Sequence, residues 1–350
     1  MSTTNNAGLL GSDIPLAEAY DLALVDLDGV TYKGHLPIDH AAPSLTSARA
    51  LGQRLIFVTN NASRTPEEVA QQLTKLDIPS NGDDVMTAAQ ACAALLGTRL
   101  APRAKVLVIG GDGLLAAVRE AGFEIVASAE DQPEAVAQGF APTLTWEHLA
   151  EAAYAVSAGA WHVASNGDLS LPTARGYAPG NGALVAAVAA ATGVKPVSAG
   201  KPAPTMYQLA AARIGAKNPL VVGDRLDTDL GGARAAGYPG LHVLTGVSLA
   251  RDAVLAEPWF RPNYIGADLR ALTSPHPAPI QLSEGWWECN GRAARVVDEG
   301  LQLDGSGPTG IDAVRAACAA AWAAVDEAPQ AMLDPGTIPE FTFGKAGNDA

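Results

Sequence analysis

The chain has 350 residues, 48% of them hydrophobic, and a formal net charge of −14 at pH 7. That length and apolar share suffice for two domains with filled cores, and the negative field disfavours nucleic acids and acidic membrane surfaces as partners. Cys92, Cys289 and Cys318 are too scattered for a disulfide framework, no apolar stretch is long enough to span a bilayer, and Met1 to Ser12 lacks a basic leader, so a cytoplasmic protein with reduced thiols is expected.

The first element is the apolar run Leu22 to Val25, a buried strand that leads into Asp26-Leu27-Asp28-Gly29-Val30. Side chains two apart on a strand leave the same face, so Asp26 and Asp28 can converge on one ligand while Gly29 lets the backbone turn. Two neighbouring carboxylates repel. A divalent cation such as Mg²⁺, which takes oxygen ligands and also binds substrate phosphate, offsets that repulsion. An Asp-x-Asp string arises by chance roughly once in a chain of this length, so the pair gains meaning only from its company.

A second strand, Arg54 to Val58, ends in Thr59-Asn60-Asn61. A hydroxyl and successive backbone amides suit a phosphate, although such a triplet also caps helices. Thr65-Pro66-Glu67-Glu68 opens the next helix with a capping threonine, an early proline and a glutamate placed for a capping box. Residues 81–198 form a second αβ series, too long for a loop. Its strand candidates are Val106 to Ile109 and either Tyr154 to Val156 or Trp161 to Ala164, and its turn Gly110 to Gly113 lacks the spacing of a dinucleotide fingerprint.

Lys201-Pro202-Ala203-Pro204 reads as the start of a helix reaching about Ile214, which sets an ammonium beside free backbone amides. The strand Leu220 to Val222 runs into Gly223-Asp224-Arg225-Leu226-Asp227-Thr228-Asp229, and another strand spans Leu241 to Leu244. Asp227 and Asp229 also fit as acidic residues of a first helical turn, whereas Asp224 stands at the strand's carboxyl end. Beyond Pro275, Gly285 to Leu303 reads as hairpin strands, Gly310 to Val325 as a helix, and Glu327 to Ala350, with Pro329, Pro335 and Pro339, as irregular. Trp286, Trp287 and Trp322 are expected in the core of this last part.

Short β-branched runs alternate with Ala-rich helices from Leu22 to Val243, which predicts an α/β fold with a largely parallel sheet. Ligands of such sheets bind beyond the carboxyl ends of strands, and all four polar motifs fall at that edge.

This ordered set, Asp26 to Val30, Thr59-Asn60-Asn61, Lys201-Pro202 and Gly223 to Asp229, resembles the haloacid dehalogenase superfamily. The insertion, with Tyr177 to Gly182 ahead of a helix, is similar to the large α/β cap of its type IIA phosphatases. The resemblance covers about Leu16 to Leu272. It implies a Rossmann-like parallel-sheet core of residues 13–80 and 199–275, and a cap of residues 81–198 that sets substrate specificity. The small C-terminal α+β extension, 276–350, has no assigned role and faintly resembles an acetyltransferase-type fragment without an acyl-donor loop.

By the same resemblance the protein is a Mg²⁺-dependent phosphoric monoester hydrolase. Asp26 is then the nucleophile that takes the phosphoryl group and Asp28 the general acid and base. Mg²⁺ is held by Asp26, the backbone carbonyl of Asp28 and Asp224, with Asp229 as a ligand or an orienting group, while Thr59, Asn60 and Lys201 bind phosphoryl oxygens. Asn61, Asn166, Asp168 and Arg175 are candidate substrate contacts. The Gly223 to Asp229 string and the C-terminal extension resemble glycerol-3-phosphate phosphatases of this subfamily, with phosphoglycolate, sugar phosphates and 4-nitrophenyl phosphate as alternatives. The cap departs from the pattern at Ala141, where many relatives have aspartate, and at Ser165-Asn166-Gly167-Asp168, where Thr-Asn-Pro-Asp is commoner. The non-enzyme alternative is a phosphoacceptor signalling module, against which the chain length and the inserted cap argue. The expected partner is a small phosphorylated metabolite, with neither nucleic acid nor membrane, and pairing of copies stays open.

Overall fold

The computed structural model describes residues 8–34, 36–173, 175–305, 309–328 and 333–343. The chain forms two compact units, residues 1–55 with 216–350, and residues 56–215, and the first boundary falls within the strand Arg54–Thr59.

In the first unit Leu22–Val25, buried at every position, pairs in parallel with Pro219–Gly223 so that Val25 lies opposite Val222. Pro219–Gly223 pairs with Gly240–Val243, and that strand with Tyr264–Gly266. Strands covered on both faces need apolar side chains throughout, which explains runs such as Leu-Ala-Leu-Val with no polar alternation. The pairing has one consequence for the site. Asp26 and Asp224 follow directly on the ends of adjacent parallel strands.

The C-terminal segment belongs to this unit. Its antiparallel sheet, in the order Ile280–Gln281, Trp287–Cys289, Arg292–Val297 and Gly300–Leu303, lies against the helix Gly310–Glu327. The helix buries Val314, Ala317, Cys318, Ala321 and Trp322 in one cluster with Ala253, Val254 and Ile265. The Trp322 indole donates to the carbonyl of Ala253 at 3.0 Å, as a buried indole N–H requires. Trp287 is half-buried against the same cluster, and Trp286 lies beneath the Arg295 guanidinium.

In the second unit Arg54–Thr59 pairs in parallel with Val85–Thr87. A separate parallel sheet runs in the order Val197–Ser198, Trp161–Ala164, Ala135–Gln138, Lys105–Ile109 and Glu124–Val126. The helices Trp146–Ser157 and Asn181–Thr192 set Ala152, Val156 and Val188 against Leu107, Ile109 and Val136.

Of the two alternatives for one strand, Trp161–Ala164 is the strand and Tyr154 to Val156 is helical. Leu149, Ala152, Ala153 and Val156 recur at helical spacing and form one packed face, which overrides the short β-branched run. The helix expected from Lys201 begins only at Thr205 and ends at Arg213. Lys201 and Ala203 each precede a proline and are steered out of the helical region, so Lys201 stands in the turn before the helix. All three cysteines are buried free thiols, and burial pushes those of Cys92 and Cys289 up to about 12. Pro329 and Gly344 to Ala350 lie outside the described residues. Among the described residues no helix is long and apolar enough to cross a membrane.

Candidate active site

Asp26, Asp224 and Asp229 each offer one carboxylate oxygen, all within 4.8 Å of one another, with Asp26 half-buried and the other two buried. Asp26 is set by the sheet, its amide donating to the Val222 carbonyl at 2.8 Å. Asp224 is gripped by the loop that follows Gly240–Val243. The Val247 amide donates to its Oδ2 at 2.7 Å, and the Ser248 amide to its carbonyl at 3.1 Å. Asp229 sits in the π-helical turn Leu226–Leu230, where its Oδ2 accepts the Arg225 amide at 3.2 Å. Asp227 instead turns outward to Arg225 at 2.8 Å.

Glycine makes this packing possible. Gly29 has φ +86°, and a Cβ there would lie 2.5 Å from Asp224 Oδ2. A Cβ on Gly246 would overlap the Asp224 carboxylate, and one on Gly223 would overlap Asp229. Three carboxylates gathered this tightly are a poor arrangement by themselves and a good one around a hard divalent cation with oxygen ligands. Asp28 has its side chain exposed, outside the cluster, and Thr245 Oγ1 donates to the carbonyl of the following Gly29 at 2.6 Å.

In the second unit Thr59, Asn60 and Lys201 form another group. Asn60 Oδ1 accepts the Lys201 amide at 2.8 Å, and Thr59 Oγ1 accepts the Asn61 amide at 3.1 Å. Lys201 is 4% exposed, with its ammonium 5.8 Å from the centre of the Tyr207 ring. Asn166 and Asp168 both bond to Asn60. Asn61 is exposed and its side chain turns back to the Ser63 amide at 2.8 Å. Arg175 is exposed at the turn between Ser170–Thr173 and Gly176–Pro179, where its backbone amide donates to Thr173 Oγ1 at 3.2 Å.

With this geometry in view, the known proteins are informative. The haloacid dehalogenase-like hydrolase family matches residues 23–124, a HAD-hydrolase-like family matches 198–272, and a GCN5-related N-acetyltransferase-like domain matches 289–339. The D-glycerol 3-phosphate phosphatase of Mycobacterium tuberculosis is 46% identical over 316 residues, 88% of each chain. The chain belongs to the haloacid dehalogenase-like hydrolases. An acid sugar phosphatase of Staphylococcus aureus is 37% identical, over 67% of this chain and 90% of its own. The crystal structure of the Mycobacterium tuberculosis glycerol phosphate phosphatase in complex with magnesium has a TM-score of 0.82, covering 89% of this chain and 92% of that one. The 4-nitrophenylphosphatase of Thermotoga maritima, 28% identical, has a TM-score of 0.68 over 74% of this chain and 98% of its own.

Several residues that shape the site of this hydrolase escape a reading of its motifs. Val247 and Ser248 bond to Asp224, Gly246 leaves room for its carboxylate and Thr245 bonds to the Gly29 carbonyl, yet the four look like an ordinary turn after a strand. His242, fully buried, faces the carbonyls of Asp224 and Ser248 at 3.3 and 3.1 Å. Burial pushes its pKa down to about 4, so the ring is neutral and presents Nε2–H to both. A polar residue inside the apolar strand Gly-Leu-His-Val was the available signal.

Proposed function

We propose that this hydrolase is a Mg²⁺-dependent phosphatase of small phosphate monoesters and that its substrate is glycerol 3-phosphate. The buried cluster of Asp26, Asp224 and Asp229 carries the reading. The 46% identity to a D-glycerol 3-phosphate phosphatase and the likeness to a magnesium complex support it.

Asp26, Asp224 and Asp229, with the carbonyl of Asp28, would hold Mg²⁺, which when bound supplies positive charge for phosphate oxygens. Asp26 Oδ attacks phosphorus, a P–O bond forms, and the bond to the glycerol oxygen breaks as Asp28 delivers a proton to it. Water then attacks the aspartyl-phosphate, Asp28 takes its proton, and inorganic phosphate leaves with Asp26 restored. The Asp28 carboxyl is exposed, which leaves it free to reach a leaving group while Asp26 stays fixed. Thr59, the Asn60 main chain and Lys201 receive the equatorial oxygens. Residues 81–198 act as the cap that selects the alcohol, within a core of 13–80 and 199–275, and the reaction is cytoplasmic.

Phosphate release from glycerol 3-phosphate, glycolate, hexose and 4-nitrophenyl esters tests the reading. Turnover is expected with Mg²⁺ and silence after chelation, and Asp26→Asn is expected to lower kcat by about 10⁴-fold or more with an unchanged circular dichroism spectrum. Undiminished hydrolysis by Asp26→Asn would sink the mechanism. A 37% identical acid sugar phosphatase favours a second reading, to which preferential turnover of hexose phosphates would point. A stable aspartyl-phosphate without release would instead mark a phosphoacceptor module.

A further inference from the structure

Asn60 is offered to the phosphoryl group by its position after a strand, yet its side chain is already committed. Nδ2 donates to both Asp168 oxygens at 3.1 and 3.3 Å and to the Lys201 carbonyl at 3.4 Å, while Oδ1 accepts the Lys201 amide at 2.8 Å. Asn166 Nδ2 in turn donates to the Asn60 carbonyl at 2.8 Å, and Asn181 Nδ2 to the Asn166 carbonyl at 2.8 Å. Asn166 and Asn181 are 5% and 2% exposed. A chain of amides thus runs from the first turn of the helix Asn181–Thr192 to the main chain of Lys201. Gly200 keeps it tight, since a Cβ there would stand 2.7 Å from Asn60 Oδ1.

The direction of the Asn60 amide decides whether the chain holds. Turned over, its oxygen would face the Asp168 carboxylate and its NH₂ the Lys201 amide, two repulsive contacts in place of attractive ones. An ionised acceptor makes roughly twice as strong a hydrogen bond as a neutral one, so Asp168 is the member that fixes the orientation. We infer that Asp168 is a positioning residue, which locks Asn60 and through it the Lys201 main chain, and that it does not read the alcohol of the substrate. The kinetic side of this inference rests on the phosphatase reading, whereas the Lys201 hydrogen bond does not.

Full-length Asp168→Ala and Asp168→Asn provide the test, with two readouts. The first is hydrogen exchange of the Lys201 amide by NMR without substrate. The second is kcat/KM for glycerol 3-phosphate and for 4-nitrophenyl phosphate. Asp168→Ala is expected to lose Lys201 protection and to lower kcat/KM for both esters by the same factor, about 10- to 100-fold. Asp168→Asn keeps a neutral acceptor for Nδ2 in place of the charged one and is expected to fall between Asp168→Ala and wild type in both readouts. An unchanged Lys201 exchange rate, or a loss confined to the glycerol ester, would overturn the inference. Should the wild type release phosphate from none of the four esters, the phosphatase reading falls, and Lys201 exchange alone still decides the positioning of Asn60.

Discussion

At the scale of single residues the site is governed by where a side chain is absent. Gly246 is required because the Asp224 carboxylate occupies the place a methyl group would take. Gly246→Ala is therefore expected to displace Asp224 and raise the Mg²⁺ concentration for half-maximal activity by about tenfold or more, read by metal titration of phosphate release. An unshifted titration would show that the loop yields freely. His276 illustrates a second residue-scale effect, on stability. It is 2% exposed, faces the Ala271 carbonyl with Nε2 at 2.8 Å and accepts from Arg315 through Nδ1 at 3.1 Å. Burial, and after it the nearby Arg315 charge, outweigh the opposing Ala271 hydrogen bond and Asp312 charge and lower its pKa from 6.5 to about 4. Because the folded state resists protonation, the unfolded state binds more protons between these values. Stability is therefore full above pH 6.5 and falls as the pH drops toward 4, by up to about 3 kcal/mol from this group. His276→Gln, which can keep both hydrogen bonds and does not titrate, is expected to flatten the dependence of Tm on pH across that window. Parallel curves for the two proteins would count against this account.

At the scale of elements, the helix Gly310–Glu327 is tied to the parallel strand Tyr264–Gly266 by one buried cation. Arg315 donates through Nε and Nη2 to the Ile265 carbonyl at 3.0 and 2.8 Å, and through Nη1 to Asp312 at 2.8 Å. Its replacement removes both of these bonds to the carbonyl and one of those to the Asp312 carboxylate, which keeps the bond from Asn290 Nδ2 at 2.9 Å. Arg315→Met is expected to destabilise the fold by about 3 kcal/mol, seen as a lower midpoint in urea unfolding, and a change under about 1 kcal/mol would disprove the tie. The strands that carry Asp26 and Asp224 were legible because each is an unbroken apolar run that stops at a carboxylate. The choice between Tyr154 to Val156 and Trp161 to Ala164 stayed open in the sequence because three residues cannot separate a strand from one face of a helix without their neighbours. Lys201 was legible as a residue but not as a helix start, because two prolines in Lys-Pro-Ala-Pro delay the first turn to Thr205.

At the scale of the whole molecule, the described residues between 276 and 343 belong to the first unit rather than standing apart. Ala253, Val254 and Ile265 are buried in the same cluster as Val314, Ala317 and Trp322. Deleting the segment would expose this face, so a chain ending at Pro275 is expected to aggregate or to lose cooperative unfolding, as judged by light scattering and a thermal melt. A soluble, cooperatively melting truncation would show the segment to be dispensable. By itself the sequence determined the alternation of strands and helices, the family, and the ordered carboxylates Asp26, Asp28, Asp224 and Asp229, since these follow from local runs and short spacings. Only the tertiary structure decided that Asp229 joins Asp26 and Asp224 while Asp227 turns outward, that Gly246 and Val247 shape the Asp224 site, and that Asn166 and Asp168 bond to Asn60. Most of those contacts join residues far apart in the chain, and no local pattern encodes which distant backbone will arrive beside a given carboxylate.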